Sequence, residues 1–573
     1  MPQTRAQLTR EEIAKIEIGH TEIGRRTAMV LVAVLLATTF AVPAVQHLCE
    51  ILRLHGGNPG SRVPQCYSIL GSVPRAATVL GNANGSAWGR VLAADRSMLR
   101  DINEFERTLE DESVFARIAL PPAQELFVRA GLGNEKAYCG VDGWLFYRPG
   151  IDYLTGPGFL TTKHMRKRIA SAKEWEEPPQ PDPRPAIIRF HRQLAQRGIV
   201  LVVVPTPGKA TVHPEKFSRA GANAAAPLQN ASYPQFLREL QTEGIAVFDP
   251  APILVERKLQ TGQPQYLETD THWRPEAMEA VAAYLARFIA SRVKLPPIPP
   301  FPLKAEPREA TNLGDIALML KLPPDQAIYP RQRVTIRQVS CDHSGRTQSG
   351  TFWHPSKAAD VLLLGDSFSN VYSLEPMGWG ESAGLAEHIS LALGRLLDCI
   401  TRNDSGAYAT RQMLSRELAL GRDRLAGKHV VIWQFAAREL LVGDWKLLDL
   451  TVGTRPPPSF LVPEPGSTMA VSGTIESISA APRPGSVPYK DHIVAMHLVD
   501  LENGLGAIPG AQAMVYTWSM RDNVWTPAAR YRPGTRLTLK IRPWSDVAEK
   551  LDRINRAELD DEELQLEEPC WSE

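Results

Sequence analysis

Four apolar runs set between helix-patterned segments constrain this chain more than any other feature. Ile199–Val204, Ile245–Phe248 and Val361–Leu364 contain no polar residue, and His429–Phe435 admits only His429 and Gln434. A strand buried on one face alternates polar and apolar residues; a run without alternation suits a strand covered on both faces, as in parallel sheets. Segments with helical spacing precede and separate them, at 186–197, 233–242, 274–292, 381–397 and 410–420. Pro275 stands in the first turn of the third, where its missing N–H costs nothing. Strands alternating with helices predict an α/β domain over 136–455, a parallel sheet with helices on both faces. The domain opens on Cys139-Gly-Val-Asp-Gly-Trp-Leu-Phe-Tyr147, where Asp142-Gly143 marks a tight hairpin turn. Residues 308–360 show no regular pattern and are read as irregular.

The N-terminal part bears on location. Thr27–Val45 carries no charge, and as a helix it would be roughly 28 Å long, close to the ~30 Å of a bilayer's hydrocarbon. A cleaved signal has a shorter apolar core of about 7–15 residues, so the span is read as an uncleaved anchor. The small residues near Ala44 leave cleavage as the alternative. Arg5, Arg10, Lys15, Arg25 and Arg26 precede the span, whereas only Arg53 and Arg62 follow it closely. The positive-inside rule then puts residues 1–26 in the cytoplasm and the rest outside, which in a bacterium is the periplasm. There, pairs among Cys49, Cys66, Cys139 and Cys341 could oxidise. Residues 46–135 read as a helical stalk without chemistry.

Beyond a proline-rich seam at 455–465 the pattern changes. Thr468–Ser477, Ile493–Leu498, Ala513–Trp518 and Arg536–Ile541 read as short strands, giving a small all-β barrel or sandwich over 466–545. The acidic segment 546–573 reads as a solvated terminal helix. The chain's 573 residues balance to a net charge of +1, which supplies no broad field for nucleic acid. Six cysteines without a C-x-x-C pair argue against a disulfide scaffold or a zinc site.

Two serines compete as nucleophile. Ser382 lies in Gly380-Glu-Ser-Ala-Gly384, a match to the hydrolase elbow, but no strand precedes it to hold the hydroxyl up. Ser367 follows the Val361–Leu364 strand directly, in Gly365-Asp-Ser-Phe-Ser-Asn370, at the strand end where open α/β sheets bind ligands. Asp366 and Ser367 could equally be mere helix caps. A serine needs a histidine to take its proton, and the histidine needs a carboxylate to fix its tautomer. Asp270-Thr-His272-Trp273 offers both, two residues apart and on one side of an extended segment. A metal reading of that pair is weaker, since no H-E-x-x-H or other close His cluster accompanies it.

On these residues the chain resembles the AlgJ/AlgX family of alginate O-acetyltransferases. The resemblance runs through Glu11–His20, Gly143-Trp-Leu-Phe-Tyr147, Val204-Pro-Thr-Pro-Gly-Lys209 with Pro214-Glu215, Asp270-Thr-His272-Trp273, Gly365-Asp-Ser-Phe-Ser369 and Trp433-Gln-Phe-Ala-Ala-Arg-Glu439. It implies an SGNH-hydrolase-like fold, circularly permuted because the serine follows the Asp-x-His motif. It implies Asp270, His272 and Ser367 as orienter, base and nucleophile. The reaction would be acetyl transfer to a polysaccharide hydroxyl, with a membrane O-acyltransferase as donor partner and no cofactor or metal. Asn370, Asn403 and Arg438, near strand ends, are candidates for oxyanion or substrate contacts. The C-terminal β unit stands where AlgX carries a carbohydrate-binding module. There Tyr489, Trp518, Arg521 and Trp525 could meet sugar rings, although aromatics at strand spacing more often fill a core. A carbohydrate acetyl-esterase and a non-catalytic polysaccharide-binding subunit are the alternatives.

Overall fold

The computed structural model describes residues 24–55, 67, 69–70, 72–82, 86–173, 177–219, 225–299, 301–341, 351–403, 406–419, 421–453, 460–485, 487–504, 506–508, 511–531, 535–559, 561 and 564–573. The basic head before residue 24, Cys66 and residues 455–459 of the seam lie outside them. The chain divides into two compact units at Leu120/Pro121.

In the first unit, Arg25–His55 is one 31-residue helix that passes through Pro43 without ending. Its stretch Arg25–Leu52 is long and apolar enough to cross a membrane. Large side chains such as Met29, Leu31, Leu35 and Phe40 are exposed along it. Helices Ser72–Asn82 and Ala87–Glu112 follow, the second capped by Ser86, whose hydroxyl accepts from Gly89 N–H.

The second unit is built on a five-stranded sheet in the order Ala246–Val247, Val200–Thr206, Val430–Ala436, Val361–Gly365, Asp398–Thr401, with every pairing parallel. The apolar runs are divided between its two faces. Val202, Val204, Leu363 and Ile432 pack with Met278, Val281 and Leu285 of helix Pro275–Arg292. Their neighbours Leu201, Val203, Leu362, Leu364 and Val431 pack with Phe190 and Leu194 of helix Pro183–Ala195 and with Leu414. Both sides of each strand are therefore buried, which is why the sequence shows no alternation.

Several elements depart from the sequence expectation. Asp398–Thr401 is an edge strand hidden by its first residue, because buried Asp398 pairs with Arg424 at 2.5 Å and Lys428 at 3.3 Å. Residues read as irregular form a long antiparallel hairpin, Leu303–Asn312 with Gln332–Cys341. Its first arm is largely polar, carries Pro307 and lies open to solvent, so no apolar pattern announced it. The expected helix at 381–397 is confined to Leu385–Leu393, ended by Gly394 in the left-handed region. The N-terminal hairpin forms as expected, Ala137–Cys139 against Leu145–Tyr147, with Asp142 and Gly143 at φ 56° and 78°. Cys49, Cys139 and Cys341 are free thiols, so the pairs expected among these three are not formed.

The C-terminal strands close on themselves. Met469–Ile478, His492–Asn503, Ala513–Arg521, Arg536–Pro543 and Pro569–Ser572 pair in a ring, a five-stranded barrel. The segment expected to be a solvated helix thus supplies a stave. Among the described residues there, α-helix is confined to Ala548–Leu551, Leu564–Leu566 is a single 3-10 turn, Arg556–Ala557 joins the sheet, and Cys570 and Trp571 are buried. Its acid content misled because the acids have buried partners. Glu558 lies within 3.5 Å of Arg402, Arg416 and Arg556 and accepts from Tyr516 Oη.

Candidate active site

Ser367 follows the Val361–Gly365 strand and begins the short helix Ser367–Asn370. The turn is fixed by one side chain of the neighbouring strand. Gln434 Oε1 accepts from Asp366 N–H at 3.0 Å and Ser369 Oγ at 2.7 Å, while Gln434 Nε2 donates to Asp366 Oδ1 at 2.8 Å and Thr206 Oγ1 at 3.0 Å. Asp366 also caps Phe368 N–H and accepts from Ala436 N–H. Both of its carboxylate oxygens are thereby occupied, and Asp366 is structural. Gly365 is required by closeness: a Cβ there would lie 2.4 Å from Ser369 Oγ.

Asp270 and His272 sit in a buried loop closed by a Tyr266–Trp273 bridge and by Leu267 N–H to His272 O. They share a side as expected, but through a turn rather than an extended strand: Asp270 Oδ1 accepts both His272 N–H at 3.0 Å and His272 Nδ1–H at 2.7 Å. Asp270 Oδ2 accepts Trp379 Nε1–H at 2.9 Å and Asp315 N–H at 3.0 Å. Burial alone would raise this carboxyl and lower the imidazole. The charge and hydrogen bonds between the two outweigh it, holding Asp270 below the usual carboxylate range and His272 above the usual imidazole one. His272 Nε2 is buried and has no hydrogen-bond partner among the described residues.

The two halves meet through Phe368, the residue after Ser367. Its ring lies 4.9 Å from His272, 5.3 Å from Trp273 and 6.5 Å from Tyr266, and Tyr372 Oη donates to Trp273 O at 2.6 Å. Asp270, His272 and Asp315 are close enough together to suggest metal ligands. Asp270 Oδ1 and His272 Nδ1 are spent on each other, however, and 2.7 Å between them is a hydrogen bond, not two metal bonds side by side.

Beside this loop is a cavity of about 20 Å³ lined by Phe146, Tyr147, Lys209, Thr271, Ile316 and Arg438, room for one water-sized group. Arg438 follows the Val430–Ala436 strand, its guanidinium 5.1 Å from the Tyr147 ring and 6.0 Å from Phe368. It makes no hydrogen bond or ion pair to a described side chain. Asn370 Nδ2 donates to Asn403 Oδ1 at 2.7 Å, and Asn403 lies just past the Asp398–Thr401 strand. Arg438 and Asn403 thus come from the strands on either side of the Ser367 strand.

Other candidates lie elsewhere. Ser382 sits in a turn with φ 52°, follows no strand and directs its hydroxyl to Trp353 O. Tyr489 is buried and stacks on His492, so it offers no face to a sugar. Trp518 packs on Trp571 with Arg521 over its other contact surface, and Trp525 donates to Pro482 O. Tyr489 and Trp525 pack with Met377 and Trp379 of the α/β core, Trp518 packs on the barrel, and both tryptophans are half-buried. Residues that motif reading missed are Asp315 and Trp379, because each acts from a distant segment. Gln434 and Lys209 stood in motifs without a role. The buried Lys209 Nζ donates to Leu145 O and Glu268 O, tying the N-terminal hairpin to the loop of Asp270, and burial lowers it to about 7.

Residues 137–437 match the family model of the SGNH hydrolase-like domain of acetyltransferase AlgX. The probable alginate O-acetylase AlgJ of Pseudomonas fluorescens is 30% identical over 264 residues, 45% of this chain and 62% of that protein. The Azotobacter vinelandii protein of the same name is 32% identical over 267 residues, 44% of this chain and 62% of that protein. The chain therefore spans about three-fifths of the curated relatives it matches. The O-acetyltransferase domain of Pseudomonas putida AlgJ aligns with 53% of this chain and 92% of that domain at 20% identity and a TM-score of 0.39. With the family model covering more than half of its length, this chain belongs to the AlgJ/AlgX family of SGNH hydrolase-like proteins.

Proposed function

We propose that this protein is a polysaccharide O-acetyltransferase working through a serine acyl-enzyme. One observation carries the reading: a buried histidine whose Nδ1 is held by a carboxylate, whose Nε2 is unpartnered, and whose ring packs on the residue next to Ser367. Ser367 Oγ attacks the acetyl carbonyl carbon, and its proton passes to His272 Nε2. The donor's acyl bond breaks and its leaving group takes that proton, leaving acetyl-Ser367. A sugar hydroxyl then attacks the ester, gives its proton to His272, and Ser367 recovers it as the new ester departs. Asp270 keeps the imidazole in the tautomer that leaves Nε2 free to accept. Arg438 and Asn403, from the flanking strand ends, and Asn370 would donate to the developing oxyanion or hold the substrate. Acyl transfer through such a triad is complete without a metal or cofactor.

The relatives' names point to an alginate-like polymer as acceptor. The apolar helix Arg25–His55 would anchor the chain in a bacterial inner membrane with the second unit in the periplasm. There a membrane O-acyltransferase partner would supply acetyl groups.

The test uses the full-length chain in detergent with 4-nitrophenyl acetate, followed by intact-mass spectrometry. One added acetyl group is expected on the wild type and on Ser382→Ala, and none on Ser367→Ala. Oligoalginate should then discharge the acetyl group onto sugar faster than water does. A wild type that never acylates removes the catalytic reading; discharge only to water makes the protein an esterase.

A further inference from the structure

The base carries a second carboxylate that the triad does not use. Gly314, at φ 96°, runs so close to the catalytic loop that a Cβ would lie 2.5 Å from Thr269 O. This approach delivers Asp315 into the loop. Its N–H donates to Asp270 Oδ2 at 3.0 Å, its Oδ1 accepts from Thr271 N–H at 2.6 Å, and Ala317 N–H reaches Thr269 O at 3.2 Å. Asp315 Oδ2 then lies 4.0 Å from His272 Nδ1, and the side chain is buried.

Two carboxylates against one imidazole are more than tautomer control needs, since Asp270 alone meets that demand. A like charge beside Asp270 opposes its ionisation, so the arrangement has a cost in the resting state. The cost is offset when the imidazole gains a proton, because both carboxylates then face a cation. We infer that Asp315 is a positioning residue for the proposed acyl transfer: it clamps Asp270 through its N–H, and its charge favours the imidazolium that His272 becomes on taking the Ser367 proton. Asp315 itself neither gains nor loses that proton in the step.

Asp270 and His272 face it from their own loop, Lys209 from the segment after the Val200–Thr206 strand, and Tyr147 from the N-terminal hairpin. Arg438 acts on His272 with the opposite sign. Burial and the Asp270 charge push the Asp315 carboxyl up to about 6, so the second charge is present at neutral pH.

The inference rests on His272 being the base, and the experiment separates the two. Acylation of the full-length chain by 4-nitrophenyl acetate is followed by nitrophenolate release and intact mass across pH 5–9, for wild type and Asp315→Asn. Asparagine keeps the shape and the N–H clamp but removes the charge. The acylation kcat should fall roughly tenfold with KM within about twofold, and the ascending limb of the pH profile should move about one unit lower. An unchanged rate and limb overturns the inference, as does a slow variant with an unmoved limb. A wild type that does not acylate overturns the reading of the base instead. Should Asp315→Asn fail to fold, the wild-type ascending limb decides. Two coupled steps support the inference and a single step defeats it.

Discussion

At the scale of single residues, the site is a contest between burial and hydrogen bonding. Asp270 stays ionised in the interior because four N–H groups point at it, one of them from Trp379. Trp379→Phe keeps the ring's bulk but strips a donor from a buried carboxylate, which should cost about 1–3 kcal/mol. A lowered midpoint in urea unfolding, together with slower acylation, is the expected outcome. Asp270, held below its unfolded value, adds stability above about pH 4 that is lost as pH falls below it. Asp315 works with the opposite sign. Its folded value near 6 exceeds the unfolded one, so its contribution is present below about pH 4 and lost as pH rises through 6. Asp315→Asn should therefore melt at or above the wild-type temperature at pH 8, the gap closing toward pH 5, even as the variant slows.

At the scale of elements, the proposed nucleophile is presented by a strand end gripped from the next strand. Gly365→Ala tests the grip, because the new methyl group would lie 2.4 Å from Ser369 Oγ and break the Ser369–Gln434 bond. A loss of about 1–3 kcal/mol in thermal unfolding, with a fall in acylation, is expected. The same elements mark what a sequence reader can see. The Val200–Thr206, Val361–Gly365 and Val430–Ala436 strands were legible because the centre of a parallel sheet tolerates almost nothing polar. The edge strand at Asp398 and the hairpin arm at Leu303–Asn312 were not, since an edge can carry charge and an exposed arm needs no apolar face. In the site, Asp270 and His272 could be read because they are two residues apart. Asp315, Trp379 and Gln434 could not, since their partners lie 45, 109 and 68 positions away.

At the scale of the whole molecule, the acidic C-terminal segment is a structural part of the barrel. Deleting residues 555–573 removes the Pro569–Ser572 stave and the carboxylate shared by Arg402 and Arg416. Amide exchange should then become fast throughout the remaining barrel strands while the Val200–Val204 strand stays protected. Strand order has a further consequence, concerning time. The Val430–Ala436 strand sits between Val200–Thr206 and Val361–Gly365, so the middle place in the sheet is filled by its last-made member. During synthesis Asp270 and His272 appear first, Asp315 next, then Ser367, and the Gln434 that holds the serine's turn later still. No shorter nascent chain can assemble the sheet around its centre, and such long-range closure is slow. A polypeptide built in this order cannot lock into its working shape while still half made.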